Sequence, residues 1–184
     1  MRKLLFTLVL TCLVISCKQE NKSYPDVDIK KNEDVFLDFY FPDTVKLNAK
    51  YFGKILYKSS LDSITTELFK EGDSLRILAL YLRKKKSIEG SNYKNIINAV
   101  EKDTFVPYKS DSIAFNLKFI NKGLNYIEGV LEDKIYLKEA DTSEMRIITK
   151  YHYITVPVYV DENFKNKKID LKKYKIPILD KGRF

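Results

Sequence analysis

The chain has 184 residues, a formal charge of +8, 45% hydrophobic residues, two cysteines, one histidine and no tryptophan. That length supports one domain with a single core, and so few cysteines and histidines exclude a disulfide framework and the usual zinc sets. The charge is uneven: eight basic residues against Asp170 and Asp180 fall from Lys165 onward, so the high isoelectric point describes the C-terminal end.

The first residues read as a targeting segment. Arg2 and Lys3 precede an apolar run from Leu4 to Ile15, and no acidic residue occurs before Glu20. The run is too short for a bilayer, which needs ~20 apolar residues, and a short apolar region behind a basic start is a secretory signal. It ends at Val14-Ile15-Ser16-Cys17, which resembles the lipobox of bacterial lipoproteins. The resemblance implies cleavage before Cys17, lipidation of its thiol, and attachment to the outer membrane. The mature chain then has no free thiol. Lys18-Gln19-Glu20 is similar to part of a surface-export signal, and with the Lys-, Asn- and Tyr-rich composition it resembles β-rich lipoproteins of the Bacteroidota. Two or more acyl chains hold a protein stably at a membrane. The division expected is a signal peptide over 1–16, a polar tether over 17–33, a β domain over 34–162 and a basic tail over 163–184.

Alternation dominates the domain. Val35, Leu37, Phe39 and Phe41 share one face of a first strand, and Pro42-Asp43 follows as a turn. From Val45 to Lys58, Val45, Leu47, Ala49, Tyr51, Ile55 and Tyr57 oppose a row of lysines, which predicts one long half-buried strand. Ser74 to Arg83 is short and apolar and fits a strand slightly better than a helix. Asn92 to Lys102 has helical spacing through Tyr93, Ile96, Ile97 and Val100. Ser112 to Ile120 alternates again, and Asn121-Lys122-Gly123 leads into a long hairpin across the polar stretch 139–144. Gly129 and Pro157 predict bulges or bends there. These elements predict an all-β, mainly antiparallel fold: an immunoglobulin-like β-sandwich with one short helical insertion, the alternative being a lipocalin-like β-barrel.

Chemistry is sparse. His152 sits on a predicted strand without a nucleophile motif. Glu128 and Glu132 share a strand face ~13 Å apart, wider than a glycosidase pair needs. No phosphate-cradling loop, metal-ligand set or cofactor motif is present, so no catalytic residue, metal or cofactor is assigned. Recognition has more to work with. Thirteen tyrosines are present, and Tyr126, Tyr151 and Tyr153 fall in the final hairpin. A tyrosine ring offers an apolar plate with a polar handle, suited to protein or glycan surfaces. Tail lysines such as Lys167, Lys168, Lys172 and Lys173 suit an anionic membrane surface or an acidic partner. Nucleic acid is not an expected partner for an exported chain. The expectation is a non-enzymatic binding or assembly module of the envelope, with a glycan or peptide hydrolase or a lipocalin-like carrier as alternatives.

Overall fold

A computed structural model describes residues 35–70, 74–88, 92–107, 111–138, 145–165 and 170–176, within a compact unit spanning Asn32–Phe184. Cys17, Lys167 and Lys168 lie outside the described residues. The strands are β1 (Val35–Phe41), β2 (Thr44–Lys46), β3 (Lys50–Ser59), β4 (Ser74–Lys85), β5 (Asp103–Phe105), β6 (Ser112–Lys118), β7 (Gly123–Lys138), β8 (Met145–Asp161) and β9 (Lys172–Lys175), with one short helix, α1 (Tyr93–Ile97). They form two sheets, ordered β6-β3-β1-β9 and β2-β8-β7-β4-β5. Every pairing is antiparallel except β2 with β8. The fold is all-β, in two sheets rather than one closed barrel.

The core follows from the period-two pattern. Leu37, Phe39 and Phe41 of β1, Tyr51 and Ile55 of β3, and Ile113, Phe115 and Leu117 of β6 meet Leu78, Leu80 and Leu82 of β4 and Ile154, Val156 and Val158 of β8 in one cluster. Phe115 is its aromatic centre, stacked on Phe41 at 5.8 Å and tilted against Phe39 at 5.0 Å. Each such buried side chain contributes about 1.5–3 kcal/mol.

Four sequence expectations change. The stretch expected as one strand from Val45 to Lys58 is two. Asn48 takes a left-handed backbone with φ of 62°, breaking the run between β2 and β3 and sending the two pieces to different sheets. Asparagine adopts that conformation more readily than other non-glycine residues. The helix expected to reach Lys102 stops after Ile97, with Asn92 capping its start through the Asn95 N–H. Gly129 and Pro157 do not interrupt the register, which runs unbroken from Gly123 to Lys138 against β8. Gly129 is required by close approach, because a Cβ there would lie 2.4 Å from the Leu82 side chain. Pro157 lies on β8 beyond the three residues that pair with β2. Part of the expected tail is a strand: Lys172–Lys175 pair with Asp38–Phe41 of β1. The strand assignment for Ser74 to Arg83 and the long final hairpin both hold.

Candidate functional site

In β7 the inward residues are Ile127, Leu131 and Ile135, so Tyr126, Glu128, Glu132 and Lys134 project from the other side of the five-stranded sheet. On that outer face Glu132 lies between Ala79 of β4 and Tyr151 of β8. The small alanine leaves room for neighbours to close around the carboxylate. Tyr81 donates its hydroxyl to Glu132 Oε2 at 3.1 Å and Tyr151 to Oε1 at 3.3 Å. Lys134 Nζ stands 2.9 Å from Oε1. Burial, then the Glu132 charge, raises the pKa of both tyrosines, and the hydrogen bond to Glu132 raises that of Lys134. The hydroxyls therefore stay protonated donors and the ammonium stays charged.

Helix α1 roofs one side of this group. Its Ile96 is fully buried, the Tyr93 ring stacks on Tyr151 at 4.5 Å and 21°, and the Tyr153 hydroxyl accepts the Tyr93 N–H. Lys102 lies over the Tyr81 ring at 5.7 Å. The result is an aromatic plate of Tyr93, Tyr151 and Tyr81 around one carboxylate, with the Tyr81 and Tyr151 hydroxyls both oriented by Glu132.

Of the residues singled out in sequence, Tyr151 and Tyr153 belong to this group. Tyr126 shares the face but lies opposite Lys85 and Pro157, six residues (~20 Å) along β7 from Glu132. Lys172 pairs with Asp43 at 3.0 Å, and Lys173 pairs with Asp38 on the other sheet. Glu128 and Glu132 face the same way but are separately engaged. Arg83 Nε holds Glu128 at 2.6 Å with Lys85 at 3.7 Å, and the two glutamate side chains are only 4% and 11% exposed. Neither presents a carboxyl to an incoming glycosidic oxygen. Cross-strand pairing with basic residues, not solvation, accounts for Glu128.

A second polar group is buried between the sheets. Arg76 of β4 forks onto Asp133 of β7, and its Nη1 reaches Asp62 at 2.6 Å and the Thr65 carbonyl at 2.7 Å. Tyr57 of β3 donates to Asp133 Oδ2 at 3.0 Å, while His152 Nε2 lies 3.1 Å from the same hydroxyl oxygen. With the hydroxyl proton directed at Asp133, the His152 ring carries its proton on Nε2 and donates to Tyr57. Burial opposes the Arg76 charge, but Asp133 and Asp62 outweigh it and raise the guanidinium pKa. Tyr57, Arg76 and Asp133 are essentially unexposed, so no substrate reaches them. This group ties β3, β4, β7 and β8 together. Sequence reasoning placed His152 on a strand but missed Arg76 and Asp133. The available signal was Asp133, a charged residue at an inward position in the alternation of Ile127, Leu131 and Ile135, whereas the apolar run around Arg76 carries none.

Among the described residues no cluster of His, Cys, Asp and Glu is arranged to hold a metal ion, and no helix is long and apolar enough to cross a membrane. No protein-family model, curated protein or solved structure matches the chain. Fold and site together define a two-sheet all-β protein with a tyrosine-lined carboxylate on one outer face.

Proposed function

We propose that this protein is a lipid-anchored component of the bacterial cell envelope, attached to the outer membrane through Cys17. It acts as a non-enzymatic binding or assembly module for a protein or glycan partner. The observation that carries the reading is the Tyr93-Tyr151-Tyr81 plate closed around Glu132. Rigid tyrosines with few rotatable bonds are effective anchors in recognition surfaces, and the carboxylate among them fixes the orientation of two of the hydroxyls. Stacking and hydrogen bonding of this kind suit an amphipathic surface better than a reaction, because both nearby glutamates are already held by basic side chains.

The test is photo-crosslinking in cells from a light-activated residue at position 93, together with Tyr151→Ala in the otherwise native chain. One discrete adduct that Tyr151→Ala abolishes, with the far-ultraviolet dichroism unchanged, supports the reading. Capture indifferent to Tyr151 overturns it, as does hydrolysis of an envelope polymer that disappears in Glu132→Gln. The anchor is tested separately: Cys17→Ser must release the protein from the membrane fraction, and retention refutes lipidation.

A further inference from the structure

The outer face of the other sheet has a different character. With Leu37, Phe39 and Phe41 turned inward, β1 presents Phe36, Asp38 and Tyr40 outward. By the same alternation β3 presents Lys50, Phe52, Lys54, Leu56 and Lys58, while β6 ends on Lys118. Register sets Lys118 beside Lys50, Lys54 beside Tyr40, and Lys58 beside Phe36. Strand β9 adds Lys173 beside Tyr40 and Lys175 beside Asp38. The six lysines are all exposed.

Asp38 is the single acid among these outward positions. It is 4% exposed and already bound by Lys173. Among the described residues, Lys50, Lys54, Lys58, Lys118 and Lys175 make no ion pair, although Lys54 lies over the Tyr40 ring at 5.0 Å. Five such unpaired like charges on an open sheet, roughly 27 Å by 15 Å from strand geometry, repel one another unless something anionic covers them. Between them stand exposed apolar rings, Phe52 at 66% and Phe36 at 46%.

We infer that this face docks on an anionic lipid surface, lysines against the headgroup phosphates and Phe52 and Phe36 in the interfacial layer. Charge alone would suit any polyanion. Lysines interleaved with exposed phenylalanines fit the layer where phosphate and hydrocarbon meet, and that combination selects the membrane. Membrane contact then lies on a folded surface that includes Lys173 and Lys175 of β9 rather than on a tail alone. It is independent of the tyrosine plate, which lies on the other sheet, and of acylation.

The test uses the chain without residues 1–16, as export would leave it, with Cys17→Ser so that no lipid contributes. Co-sedimentation is measured with vesicles of phosphatidylcholine alone and of phosphatidylcholine with phosphatidylglycerol. Binding to the anionic vesicles only, weakened by salt, is expected. A lysine near an anionic surface contributes about fivefold, so the triple variant Lys50→Gln, Lys54→Gln, Lys58→Gln binds ~100-fold more weakly. Phe52→Ser weakens binding several-fold, and Lys138→Gln, an exposed residue of β7 on the opposite sheet, leaves it unchanged. Should the triple variant lose its dichroism, single Lys54→Gln and Phe52→Ser decide the matter. Absence of vesicle binding, equal binding to neutral vesicles, or a triple variant that binds like its parent overturns the inference. Capture of soluble dextran sulfate without vesicle binding assigns the face to a dissolved acidic polymer instead.

Discussion

Arg76 and Asp133 meet through two parallel hydrogen bonds, Nε to Oδ1 at 2.8 Å and Nη2 to Oδ2 at 2.7 Å, with neither side chain exposed. Asp62 and the Thr65 carbonyl accept from Arg76 Nη1, Tyr57 donates to Asp133 Oδ2, and no buried side-chain nitrogen or oxygen among the described residues is left without a partner. Removing one member of such a pair strands a charge in the interior. Arg76→Met is expected to lower stability by ~3–5 kcal/mol. Adding Asp133→Leu should recover a substantial part of that loss, because both charges are then gone. Urea unfolding of the two variants checks this; a loss below about 1 kcal/mol for Arg76→Met would mean the pair is not the sandwich's internal tie.

Tyr57 gives a pH dependence of definite sign. Burial, then the Asp133 charge, holds its phenol far above the ordinary value of about 10. The unfolded chain therefore releases this proton before the folded chain does. The stabilisation from a protonated Tyr57 is complete below about pH 10 and declines as pH rises beyond it. Thermal melts from about pH 8 to about pH 11 should show a falling midpoint with a shallower slope in Tyr57→Phe. A variant slope equal to the parent's would place the alkaline sensitivity elsewhere. At neutral pH the same variant is expected to be ~1–3 kcal/mol less stable, since Asp133 and His152 each lose a partner.

Gly53 sits where aromatic rings converge. A Cβ there would come within 2.3 Å of the Phe115 ring and 2.8 Å of Phe41, both essentially unexposed. Gly53→Ala is expected to cost ~1–3 kcal/mol by overpacking. Phe115→Leu should relieve part of that penalty, so the double variant is less impaired than the two single effects added together. Strict additivity in denaturant unfolding would refute the steric account.

Much of the architecture was legible because half-buried strands write their faces in alternation. Leu37, Phe39 and Phe41, or Ile113, Phe115 and Leu117, need only a period of two to be read correctly. Alternation reports a face but not a sheet. That is why Val45 and Tyr51 looked like one strand although they serve different sheets, with the exchange hidden in the backbone of Asn48. The candidate site was half legible. Tyr151 and Tyr153 stood out by residue type, but Tyr81 and Tyr93 are distant in sequence and join them only through the β4–β7–β8 register and the placement of α1. Arg76 was obscured by the apolar run around it. Nothing in SLRILALYLR reveals that its first arginine points inward to meet a carboxylate contributed 57 residues later.

The position of β1 has a mechanical consequence. Force transmitted through the chain preceding Val35 enters a strand flanked by β3 on one side and β9 on the other, not one at a sheet margin. Six register pairs with β3 and four with β9 resist it, and a few residues later the same chain crosses at Pro42-Asp43 to pair β2 with β8. A tug along the chain preceding Val35 therefore shears two ladders together before reaching the second sheet, instead of peeling strands one at a time. A protein held by its N-terminal end against flow or a moving partner would be gripped in the interior of its first sheet, not at an edge.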